Sequence, residues 1–128
     1  MGAPVSSALE PKMEQPVSPT EVVQRQLDAY NAHDLSAFLE TYSENAKVLR
    51  MPATNPMASG KSEISQLYGT KVFHLPNHRA ELLGRMSFGN KVVDHERVFG
   101  LSEQPLEAVA VYEVVNERIE CVWLFPGE

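Results

Sequence analysis

The stretch VVQRQLDAYNAHDLSAFLETYSENAKV, residues 22–48, contains two helical periods, a strand onset and the punctuation between them. Val22, Val23, Leu27 and Tyr30 recur at helical spacing and form one apolar stripe. Just upstream, Ser18 can cap a helix, Pro19 suits its first position and Glu21 completes a capping box. The spacing therefore predicts a helix over 19–32. Gln26 lies on the same stripe. A polar residue on a buried face needs a partner, so Gln26 is either a satisfied core amide or part of a pocket lining. Asp34 then caps a second short helix, LSAFLETY, with Leu35, Phe38, Leu39 and Tyr42 on one side. Alternation takes over in AKVLRM, residues 46–51, where Ala46, Val48 and Arg50 share a face.

Working outward, Pro52, Pro56 and Gly60 punctuate a loop, and a third helix near 61–70 has Ile64, Leu67 and Tyr68 as its core face. From His78 onward the period is two. Strands are expected at 78–88, 91–100, 106–115 and 118–125, with tight turns at Gly89–Asn90 and Asn116–Glu117. Helices first and strands after them indicate an α+β domain, its helices packed on one face of a curved sheet. No internal repeat and no second domain is evident.

The 128 residues suit one domain with a real hydrophobic core. A net charge of −6 without any basic run excludes nucleic acid and anionic membrane as expected partners. No apolar run approaches the roughly 20 residues of a membrane-spanning helix. A lone Cys121 in the apolar run IECVWLF reads as an inert buried thiol and leaves no mark of an oxidising compartment, so a cytoplasmic setting is expected. Residues 1–17, rich in Pro and Ser, read as a disordered leader, with the domain over 18–128. MGAPVS matches a myristoylation pattern, but no polybasic second anchor follows.

Several motifs fail. GKS at 60–62 lacks the glycine of a phosphate loop, because position 55 is Asn55. Pro76 between His74 and His78 prevents the helix that would align both imidazoles on a metal. No Gly-x-Ser-x-Gly elbow is present and Cys121 has no evident His partner, so nucleophilic catalysis finds no support.

The opening helix, turn, helix and strand of residues 22–48 resemble the start of the nuclear-transport-factor-2-like superfamily, in its SnoaL-like and ketosteroid-isomerase-like branches. SGKSEISQLY looks like that family's third helix and VYEVVNERIECVWLF like its closing hairpin. The resemblance covers about residues 19–126. It implies a cone-shaped α+β half-barrel: three N-terminal helices on a strongly curved, mainly antiparallel sheet around an apolar cavity. It further implies a small apolar or amphipathic ligand, and either cofactor-independent acid–base chemistry of the isomerase, cyclase or hydrolase type or a non-catalytic binding or dimerisation module. No cofactor or metal is expected.

The ketosteroid isomerase machinery does not carry over. Its helix tyrosine, general base and oxyanion-hole acid fall on Gln26, Arg50 and Ala110. The same alignment turns Val92, Asp94, Glu96 and Val98 inward, and His95 and Arg97 outward. Candidate catalytic residues are then Glu96, Asp94 and Arg50, with Gln26, Tyr112, Ala110 and Val98 as candidate ligand contacts. A buried guanidinium demands an anion, so Arg50 is expected to pair with Glu96 or Asp94. Whether those three form a functional site or a network that only fills the cone stays open from sequence. Val109, Val111, Trp123 and Phe125 would point outward, which implies a homodimer through the outer sheet face.

Overall fold

The computed structural model describes residues 17–127. Helix α1 (Pro19–Ala32) begins in the expected capping box: Glu21 N–H donates to Ser18 Oγ at 3.2 Å, and Ser18 N–H to Glu21 Oε1 at 3.1 Å. It ends at His33, whose left-handed backbone (φ 57°) lets its N–H reach back to the last carbonyls. Asp34 caps α2 (Leu35–Glu40) by accepting from Ala37 N–H. Val17 packs on the core and its N–H donates to Glu117 Oε2. The rest of the expected leader, with the myristoylation pattern, lies outside the described residues.

Strand β1 (Tyr42–Arg50) starts four residues earlier than the sequence suggests, so Tyr42 belongs to the sheet and not to α2. The cause is tertiary: Ile119 N–H donates to Thr41 O at 2.7 Å, and pairing with the last strand outweighs a helical stripe. A two-residue strand, β2 (Ala58–Ser59), was not foreseen; it pairs antiparallel with β1. After α3 (Lys61–Lys71) come β3 (Arg79–Phe88), β4 (Lys91–Phe99), β5 (Leu106–Val115) and β6 (Arg118–Pro126). Asn116 and Glu117 both take positive φ, as a tight hairpin turn requires.

The strand order is β2-β1-β6-β5-β4-β3, antiparallel except for the β1–β6 pair. Register shifts interrupt β1, β3 and the β5–β6 pairing, and such bulges bend a sheet. Three helices on one side of an unclosed mixed sheet make an α+β half-barrel. Its core joins Val22, Val23 and Phe38 from the helices to Tyr42, Val48, Val92, Ile119 and Val122 from the inner sheet face. Toward the other end of α1 the core gives way to a cavity.

Candidate functional site

The cavity has a volume of about 330 Å³ and lies between α1, α3 and the inner faces of β4, β5 and β6. Gln26 and Tyr30 reach it from α1, Tyr68 from α3, Glu96 from β4, and Ala110 and Tyr112 from β5. Its mouth is formed by strand ends and loops, where Met57, Leu101 and Leu106 are exposed beside Arg50.

Glu96 supplies the inward-facing carboxyl. It makes no hydrogen bond or ion pair among the described residues. Burial pushes it up to about 7, the Asp94 carboxylate adds to the rise and the Arg85 guanidinium offsets part of it. Four phenols lie within its electrostatic reach: Tyr30, Tyr42, Tyr68 and Tyr112. Burial raises all four, Tyr68 to about 12, so each stays a protonated donor near neutral pH. Tyr42 accepts from Gln26 Nε2 at 2.9 Å. Tyr30, Tyr68 and Tyr112, which line the cavity, make no hydrogen bond among the described residues.

Asp94 is fully buried but does not line the cavity. Its anion is held by Arg85, with Nε 2.6 Å from Oδ1 and a second nitrogen 2.9 Å from Oδ2. Arg85 also donates to Gln24 Oε1, and Gln24 to Asp28, tying β3 to α1. A bulge creates this pair. Ala80 and Leu82 face inward opposite Val98 and Glu96, the register slips at Leu83, and Arg85 then faces Asp94. Without the extra residue, Arg85 would point to the outer face.

The expected contact of Arg50 with Glu96 or Asp94 does not form. Arg50 is exposed at the mouth and has no ion pair among the described residues. Arg50, Leu124, Ala110 and Asp94 fall in one row across β1, β6, β5 and β4. Three strand spacings separate the first from the last, about 14 Å of backbone, which exceeds the reach of one guanidinium. Arg85, directly opposite, takes the role.

A family model for the SnoaL-like domain matches residues 23–122. The chain belongs to the SnoaL-like family. No curated protein matches the sequence. Solved structures align along nearly the whole domain. An NTF2-like protein of unknown function from Cytophaga hutchinsonii aligns with TM-score 0.74 and 12% identity, covering 88% of this chain and 93% of that one. A candidate ketosteroid isomerase from Kribbella flavida gives 0.75 and 14%, over 86% and 78%. A candidate polyketide cyclase from Sinorhizobium meliloti gives 0.71 and 20%, over 88% and 96%. At these identities the likeness establishes the fold alone.

Within this SnoaL-like frame, Gln26, Arg50 and Ala110 do gather on the same cavity, as an amide, a guanidinium and a methyl group. Tyr112 and Val98 line it too. Tyr30 and Tyr68 were read from sequence only as core. A helical stripe does not say whether it meets a packed sheet or a cavity, and no signal in the sequence separated them.

Away from the cavity, His78 is buried against Tyr30, ring centroids 4.6 Å apart, and its ring nitrogens make no hydrogen bond among the described residues. Burial pulls it down to about 4. His74 is exposed, and no cluster of His, Cys, Asp or Glu among the described residues could hold a metal. Cys121 is half-buried rather than buried, with its thiol raised by desolvation. No helix among the described residues is long and apolar enough to cross a membrane.

Proposed function

We propose that this protein is a cofactor-independent acid–base catalyst acting on a mainly apolar small molecule, with Glu96 as the proton-transferring group. The observation that carries this reading is a carboxyl without a partner, raised to about 7, facing an apolar cavity. A group half-ionised near neutral pH can take a proton from carbon and return it elsewhere, as isomerisation or ring closure requires. The cavity is at the small end of the range for ligand pockets. Phenols from Tyr68 and Tyr112 are donors available to a developing oxyanion, a role worth about 3–4 kcal/mol per donor in a dry site. Asp94, already held by Arg85, acts through its charge on Glu96 and not on the substrate.

The active form is proposed to be a homodimer through the outer sheet face. Val109, Val111, Trp123 and Phe125 alternate with cavity-lining neighbours, and Phe125 is 42% exposed. A cytoplasmic setting fits the unpaired Cys121.

The test uses 5-nitrobenzisoxazole, a small apolar probe with one acidic C–H. A base removes the C3 proton as the N–O bond breaks, releasing a cyanophenolate that is followed by its colour. Wild type should accelerate this elimination, with a rate rising through pH about 7 as Glu96 ionises, and Glu96→Gln should abolish it. Equal rates for the two proteins would favour the alternative, a SnoaL-like module that binds without turnover.

A further inference from the structure

Among the described residues, the cavity mouth carries three exposed apolar side chains, Met57, Leu101 and Leu106, and one cation. That cation is Arg50. Two other charged residues line the cavity. Glu96 lies inside it, and Glu107 is already held by His95 at 2.9 Å and Arg97 at 3.1 Å. Arg50 alone of the three is a cation, and it has no ion pair among the described residues. Its strand position places it well away from Glu96. Arg50 aligns with Leu124, Ala110 and Asp94 across the sheet, and Glu96 lies two residues further along β4. The two backbones are then about 15 Å apart along the sheet, with Ala110, Val122 and Leu124 between them on the cavity wall.

From this arrangement we infer that the substrate is an elongated amphipathic anion, its carboxylate or equivalent group held by Arg50 at the mouth and its apolar body running inward to Glu96. The inference rests on the reading of the cavity as a ligand site and adds the charge and polarity of the ligand. A guanidinium offers a planar fork to a carboxylate and stays charged at every working pH. It is also a local attractor on a chain of net charge −6, which otherwise repels anions. An anion bound at the mouth keeps its own charge away from Glu96, so the two negative groups do not compete for one site. Held at that end, the ligand presents its far end to the proton-transferring carboxyl.

The experiment compares 2-naphthylacetate with 2-naphthylacetamide by titration calorimetry at pH about 6, below the value to which Glu96 is raised. The probes share a ring system and differ in charge. The acetate should bind wild type about two- to fivefold more tightly, a margin expected of one partly exposed ion pair. That margin should vanish in Arg50→Gln, persist in Arg50→Lys, and shrink with added salt. Equal affinity of the two probes for wild type, or a preference that survives Arg50→Gln, overturns the anion assignment alone. If neither probe binds, or if both still bind after Ala110→Trp fills the cavity, the ligand-site reading falls together with it.

Discussion

Arg85 and Asp94 meet directly across β3 and β4 in a two-point ion pair, and the aspartate is completely shielded from solvent. Removing the cation leaves a buried charge without its counter-ion, the costly half of any buried pair. Arg85→Met should therefore lose about 3–5 kcal/mol in urea unfolding. Replacing both residues, Arg85→Met with Asp94→Leu, should restore most of it. Arg50→Met, at an exposed position without an ion pair among the described residues, should stay within about 0.5 kcal/mol of wild type. An Arg85→Met loss below that of Arg50→Met would show that Asp94 is not held as described.

The same pair marks where the sequence stops being legible. The capping box at Ser18, the stripe from Val22 to Tyr30 and the turn at Asn116–Glu117 are local signals, and each forms as read. Alternation grouped Glu96 with Val92, Asp94 and Val98, and the family alignment turned that set inward. Pairing of Arg50 needed the strand order, which puts β6 and β5 between β1 and β4, and no local pattern encodes that order. Arg85 was hidden by one extra residue in β3. Gly84, next to the register slip and with open space where a side chain would stand, was the available hint, since an isolated glycine in a strand often marks a bulge.

A Δ5-3-ketosteroid should be turned over no faster than in buffer. The positions that the sequence resemblance aligns with the isomerase's tyrosine, base and acid are Gln26, Arg50 and Ala110, and all three line the cavity. Ultraviolet assay of the conjugated product checks this. A rate typical of the isomerase would mean that Glu96 and the cavity tyrosines substitute for the whole missing set.

The outer sheet face predicts a dimer. Leu49, Trp123, Val111, Val93 and Met86 form one register row across five strands, and Met86 is 60% exposed. Sedimentation at micromolar concentration should give about twice the 14.3 kDa chain mass. Val111→Glu, which sets a charge mid-row, should give the monomer mass with its circular dichroism retained. A wild-type monomer would remove the dimer proposal.

Stability against pH should look flatter than its parts. His78 is pulled from 6.5 to about 4 in the folded protein, so as pH falls through that window the unfolded chain binds the extra proton and stability drops. Glu96 is pushed from 4.5 to about 7, so as pH rises through its window the unfolded chain releases a proton that the folded one keeps, and stability drops again. Each effect amounts to at most about 3–4 kcal/mol at 1.36 kcal/mol per unit. Their slopes oppose one another where the windows overlap, between 4.5 and 6.5. Glu96→Gln removes one arm and should leave a protein whose urea midpoint climbs steadily from pH 4 to 6.5. His78→Leu removes the other and should leave a midpoint that declines between 4.5 and 7. Wild type should show neither trend across the overlap. If Glu96→Gln keeps the wild-type profile, Glu96 is not a buried carboxyl with a raised pKa, and the proton-transfer role proposed for it loses its basis.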